Sequence, residues 1–253
     1  MGRRNTADEP EIPVVPPGED ELPCDDGEPM ETARHRQQMV LLIQSLKAAW
    51  KRRRNYYVGG NMFVYFSETQ VKKNTFRGPD VFVVLNTKDR DRRSWVAWQE
   101  GKLPDVVIEL LSDRTRRIDR GEKMHIYAQL WRTSEYYLYD PWSHEFEGYR
   151  LDGLGQYQRI KPDAKGDLGC ERLGLALGLR PGSFEGVSTT WLRWLRRSGA
   201  VLPSPEELAA GASSKARTAQ KQAKTAQRIA AQERKRAEAA VRRVRALEKR
   251  LRG

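Results

Sequence analysis

Cysteine and histidine are scarce in this chain. Two cysteines, Cys24 and Cys170, and three histidines are spread through 253 residues. Two thiols in unrelated segments make neither a disulfide framework nor a Cys/His zinc site, a usage that suits a reducing cytoplasm. Long apolar runs are missing as well: no stretch approaches the ~20 residues that a membrane-spanning helix needs. The N-terminus MGRRNTADEP has no apolar signal core, so export by a cleaved leader is not expected. Basic residues are missing from positions 5–30, which are rich in proline and acid. Such a stretch buries too little apolar surface to offset its ordering entropy, and residues 1–30 are expected to be a disordered acidic leader.

What the chain does have is positive charge, and its location matters. The net charge is +12, but residues 205–253 hold 14 Lys/Arg against 5 Asp/Glu and so carry +9 of it. Basicity therefore belongs to the tail and speaks of partners and solubility, not of the central fold.

From Glu31 onward the pattern changes. Met39, Leu42, Ile43, Leu46 and Trp50 recur at helical spacing, and Lys51–Arg54 suit a helix C-terminus. Short strands follow in NYYVGGNMFVYFS, broken at Gly59-Gly60, then in GPDVFVVL and PDVVIELLS. EKMHIYAQLW has helical periodicity, and EYYLYDP is a strand stopped by Pro141. This order predicts an α/β domain with a mixed sheet flanked by helices, with its core at 31–141. Residues 142–203 hold EFEGYRL, QYQRI, LGLAL and WLRWL, expected as hairpins appended to that core within one domain over 31–203. Residues 204–253 form a basic, Ala-rich helix opened by Ser204 and Pro205. Along it Ala216, Ala219, Ala223, Ala226, Ala230, Glu233, Ala237, Ala240, Val244, Leu247 and Leu251 make a heptad seam, which predicts a coiled coil.

Two carboxylates stand where a sheet brings strands together. Asp80 opens one strand after Pro79, and Glu109 lies inside the apolar run Val106–Leu111. Burying Glu109 there is costly without a partner. A salt bridge to Arg117 or Lys123 would satisfy it, and so would a metal. Lys123 follows on the next helix. Two hard carboxylates and a lysine are what Mg²⁺-assisted phosphodiester hydrolysis uses, with Mn²⁺ as an alternative ion and no other small-molecule cofactor. Asp105, a second Pro-Asp, falls on the same strand as Glu109 and is passed over in favour of Asp80. Arg114, Arg116, Arg117 and Arg120 cluster beside these groups: phosphate neutralisation is one reading of them, a solvated charge run the other. Glu31 and His35, four apart, share a face of the first helix.

The segments GGNMFVYFSETQ, FRGPDVFVVL, LPDVVIELLSDRTRRIDRGEKMHIYAQL and EYYLYDPWSHEFEGYRL resemble the Uma2 family of restriction endonucleases, a PD-(D/E)XK branch. The likeness spans roughly residues 31–207. It implies a restriction-endonuclease-like fold, DNA as substrate, Asp80 as first acid and Glu109 as second, with a helix acid, Glu31, near the metal. The superfamily pattern would place lysine at Leu111; the branch implies that Lys123 on the helix takes that role.

Three functions fit these residues. The first is a metal-dependent DNA endonuclease, expected as a homodimer because cutting two strands commonly takes two active sites. The second is a catalytically inactive nuclease fold that binds nucleic acid or a partner through its coiled coil. The third is a self-associating scaffold whose basic tail recruits nucleic acid or an acidic partner.

Overall fold

Side chains alternate between the two faces of a strand, and three central strands of this chain are buried on both. The computed structural model describes residues 16–24, 32–67 and 76–251. Within them, helix α1 (Ala33–Ala49) precedes β1 (Tyr56–Gly59), β2 (Val64–Tyr65), β3 (Phe76–Arg77), β4 (Val81–Leu85) and β5 (Trp95–Val96). A short helix α2 (Ala97–Glu100) and β6 (Val106–Leu110) follow. The next helical stretch is α3 (Arg116–Ile118), a π-helical turn Asp119–Lys123, and α4 (Met124–Gln129). Strands β7 (Glu135–Tyr139), β8 (Phe146–Leu151), β9 (Tyr157–Arg159), β10 (Leu168–Cys170), β11 (Leu175–Phe184) and β12 (Val187–Arg196) complete the first unit. The long helix α5 (Pro205–Leu251) belongs to a second unit that begins at Pro203.

The main sheet runs β1-β4-β6-β7-β8-β9 and is mixed: β6 and β7 are parallel, and the other neighbours are antiparallel. The helical crossover between β6 and β7 is what a parallel pair requires. Val81, Val83, Val106, Ile108, Tyr137 and Tyr139 point to one face. There they pack with Leu42 and Leu46 of α1 and with Leu177, Leu192 and Trp194. Phe82, Val84, Val107, Tyr136 and Leu138 point to the other, against Ile126, Tyr127 and Trp131. Glu109 and Asp80 share the parity of this second face, so both carboxylates head toward α4.

The sheet β10-β11-β12 covers α1 rather than standing apart. Gln38 exchanges two hydrogen bonds with Leu192, its Nε2 donating to the carbonyl at 2.9 Å and its Oε1 accepting from the amide at 3.0 Å. The indole of Trp194 donates to the Leu42 carbonyl at 3.1 Å. The expectation that residues 142–203 are appended hairpins is corrected in part: β8 and β9 extend the central sheet itself, because β8 pairs with β7 along its whole length.

The leader is also corrected where it is described. Residues 16–24 pack on the small sheet β3-β2-β5, with Leu22 buried among Phe63, Tyr65 and Val96. Tyr65 Oη donates to the Pro23 carbonyl at 2.6 Å, and Arg90 pairs with Glu19 at 3.0 Å. One leucine, one tyrosine hydrogen bond and one carboxylate–arginine pair thus hold a segment whose composition alone argues for disorder.

In the second unit, Ser204 caps α5 as expected. Its Oγ accepts from the Glu207 amide at 3.1 Å while Glu207 Oε2 accepts from the Ser204 amide at 2.7 Å, a reciprocal capping box.

Candidate active site

Strand β4 pairs with β6 up to Val81↔Ile108. One step beyond, Asp80 and Glu109 meet at the sheet's margin. The Asp80 amide lies 3.4 Å from Glu109 Oε2, and Asp80 Oδ2 accepts from the Leu110 amide at 2.7 Å. Asp80 is half-buried and Glu109 fully buried. The turn after β1 fixes where β4 begins: the Asn61 amide donates to the Pro79 carbonyl at 3.0 Å. Gly60 lies so close that a Cβ on it would stand 2.1 Å from the Asp80 carbonyl oxygen.

The helical crossover supplies the remaining groups. Lys123 Nζ lies 3.1 Å from Glu109 Oε2 and 2.8 Å from Asp119 Oδ1. Tyr127 Oη donates to Glu109 Oε1 at 2.7 Å. Tyr136, on β7, donates to the Asp119 carbonyl at 2.9 Å and so ties the π turn to the sheet. A π turn carries one residue more than an α turn and re-aims the side chains around it. Here it lies where Asp119 and Lys123 both reach Glu109's neighbourhood.

Asp119, which the sequence pattern does not single out, is buried beside the lysine. Tyr127, expected as one of an apolar helical stripe, is buried but spends its hydroxyl on Glu109. The spacing Asp119–Lys123–Tyr127, in steps of four, was the available signal, since it lines three polar-tipped side chains along one side of a helix.

Other expected residues fall elsewhere. Glu31 lies outside the described residues. His35 is buried near this edge, its Nε2 3.1 Å from the Leu111 carbonyl and its Nδ1 2.8 Å from Thr32 Oγ1. Asp105 is a structural acid: Leu85's amide, Lys102 and Arg172 each hold it at 2.7 Å. Of the four arginines, Arg116 binds Asp140 and Glu145, and Arg120 binds Glu145 and Glu147. These two brace the crossover against β7 and β8 through their pairing with carboxylates. Arg114 and Arg117 are exposed.

The cluster is electrostatically unusual. Burial pushes the Glu109 carboxyl up to about 8, with Asp80 and Asp119 adding to the rise while Lys123 and Tyr127 oppose it. Burial likewise raises Asp80, against the pull of Lys123 and the Leu110 amide. The carboxylates in turn hold Lys123 protonated despite its burial. Three carboxyl groups share one ammonium in a buried site, and the ionised forms of Glu109 and Asp80 are disfavoured there.

The family model described as "Putative restriction endonuclease", Uma2, matches residues 20–180. That span includes every residue of the cluster. The chain belongs to the Uma2 family. The match to Uma2 starts earlier than residue 31 and takes in part of the segment packed around Leu22. The uncharacterized protein slr1290 of Synechocystis is 25% identical over 128 residues, which are 49% of this chain and 65% of that protein. This Uma2 chain therefore spans just under two thirds of that relative's length. A crystal structure of a "putative nuclease belonging to DUF820" from Anabaena variabilis aligns at 18% identity and a TM-score of 0.41. That alignment covers 59% of this chain and 87% of the other.

Among the described residues, no group of three or more His, Cys, Asp and Glu side chains is placed to enclose a metal ion. The donor set nonetheless suits one kind of ion. Asp80 and Glu109 offer hard oxygens, and Mg²⁺ characteristically takes one or two carboxylates while keeping several waters. A divalent cation would favour the ionised forms of Glu109 and Asp80 that burial disfavours. In this Uma2 chain the two acids therefore fit Mg²⁺, and Mn²⁺ takes the same donors.

Proposed function

We propose that the protein is a metal-dependent endonuclease that hydrolyses phosphodiester bonds in DNA. The observation that carries this reading is the meeting of Asp80 and Glu109 from adjacent strands with the Lys123 ammonium 3.1 Å from Glu109. Membership of a nuclease family supports it. Asp80 and Glu109 would hold the Mg²⁺ ion. When bound, such an ion supplies Lewis acidity to the phosphoryl oxygens and makes water a better nucleophile at neutral pH.

The chain's own groups do the rest. Lys123 stays protonated, so it has no lone pair with which to accept a proton. Its task is to donate hydrogen bonds, orienting the attacking water and offsetting the charge that grows on the phosphate. Asp119 anchors the ammonium from the helical crossover, and Tyr127 holds the Glu109 carboxylate in one rotamer. Leu111, where the superfamily pattern has lysine, is buried in the apolar cluster. Lys123 brings a cation to Glu109 from the helix instead.

Supercoiled plasmid incubated with Mg²⁺ or Mn²⁺ tests the proposal, with EDTA as control. Wild type should nick it, Glu109→Ala and Asp80→Ala should not, and Lys123→Ala should slow cleavage by roughly 10²-fold or more. Cleavage that survives in purified Asp80→Ala would sink the assignment.

A further inference from the structure

Helix α5 carries two unlike faces. Ala216, Ala219, Ala223, Ala226 and Ala230 line one side at steps of three and four. Arg217, Lys221, Lys224 and Arg228 line the other, also at steps of four and three, and all four are exposed. At 1.5 Å per residue the four cations span roughly 17 Å of one helical edge. No acid occurs between Leu208 and Gln232. Farther on the charge is partly offset: Glu238 pairs with Arg234 at 3.1 Å and with Arg242 at 4.0 Å. The cationic stripe is therefore densest where no carboxylate answers it.

We propose that the stripe Arg217–Lys221–Lys224–Arg228 is a binding site for the phosphate backbone of duplex DNA, independent of base sequence. Duplex DNA carries one negative charge per roughly 1.7 Å of axis, so a straight row of four cations meets phosphates wherever it lies along the duplex. The stripe does not depend on the state of the alanine seam, because positions opposite a heptad seam stay outward whether or not the seam is paired. An anionic membrane is the weaker fit. The face opposite these cations holds no apolar side chain larger than alanine between Ala209 and Arg228, and interfacial helices need large apolar groups to insert. The proposal rests on the nuclease reading only for the choice of DNA as the polyanion.

The test uses full-length protein in EDTA with a short labelled duplex, titrated with salt. The comparison is with the Arg217→Gln, Lys221→Gln, Lys224→Gln, Arg228→Gln variant. Glutamine is nearly as good a helix former, and circular dichroism checks that helix content is kept. The slope of log affinity against log salt should fall by about 3 to 4, and affinity at low salt by about tenfold or more. A control variant, Lys51→Gln, Arg52→Gln, Lys161→Gln, Arg197→Gln, removes the same charge from exposed positions of the first unit and should change both much less. Equal effects of the two variants would overturn the proposal, as would binding to phosphatidylserine vesicles without binding to DNA. Plasmid cleavage measured in parallel keeps the two claims apart. Stripe-dependent binding without cleavage removes the nuclease reading alone, and cleavage with an unchanged salt slope in the fourfold variant removes this one alone.

Discussion

Two buried glutamates on neighbouring strands take opposite roles because of what surrounds them. Glu135 accepts from Arg150 at 3.0 Å, from the Glu171 amide at 2.9 Å, from the Arg172 amide at 3.2 Å and from the Cys170 thiol at 3.0 Å. Its lone pairs are filled by donors, and it holds strands together. Glu109 has one tyrosine and one lysine but stands beside two further acids. A carboxyl held at about 8, against an ordinary 4.5, binds its proton more tightly in the folded chain than in the unfolded one. Stability of the metal-free protein should therefore fall as pH rises from about 4.5 through about 8, since over that window the unfolded chain has released a proton that the folded one keeps. Mg²⁺ should restore it, because the ion favours the ionised form. Melting temperatures taken with and without Mg²⁺ should differ more at about pH 8.5 than at about pH 6, and Glu109→Gln should remove the difference. An Mg²⁺ effect that is the same at both values would contradict the assignment of Glu109.

At the scale of elements, the strands that cross the middle of the sheet were the most legible. Val81–Leu85 and Val106–Leu110 are buried on both faces, and a largely apolar run of that kind has few other places to go. The placement of Asp80 and Glu109 on adjacent strands followed from it. What the pattern could not carry was long-range pairing. EFEGYRL alternates like an appended hairpin, yet it continues the central sheet, because register is settled by the partner strand and not by the segment itself. The π turn was illegible for a similar reason: nothing in DRGEK itself marks it, and its place is settled by Tyr136 and Glu109 beneath it. Gly60 is the element-scale device that sets the site. A methyl group there would press on the Asp80 carbonyl, on Ile43 and on Met39. Gly60→Ala should cost about 1–3 kcal/mol by overpacking and shift the start of β4. Denaturant unfolding and plasmid cleavage together check this, and a variant of wild-type stability and activity would refute the close approach.

On the scale of the whole molecule, every apolar cluster of the described residues is assembled from positions 22–202. The first unit owns its core, and α5 adds charge and length. A protein ending at Ser204 should unfold cooperatively and still nick plasmid at saturating DNA, while losing salt-sensitive affinity. Gel shifts across a salt series and a thermal melt would check it, and a truncated chain that never folds would mean that the core depends on the helix. The chain divides at Pro203, and alanine and basic residues take over soon after it. The ordered segment around Leu22 was not legible, because a single leucine amid acids and prolines carries no periodicity to read.

The clasp between Gln38 and Leu192 joins residues 154 positions apart. A ribosome adds about 5–20 residues per second, so α1 emerges roughly 8 to 30 seconds before the strand that covers it. For that interval the nascent chain displays the side of α1 bearing Leu41 and Leu42 to whatever is nearby. Slower synthesis or added chaperone should therefore raise the share of the protein recovered folded when it is overproduced.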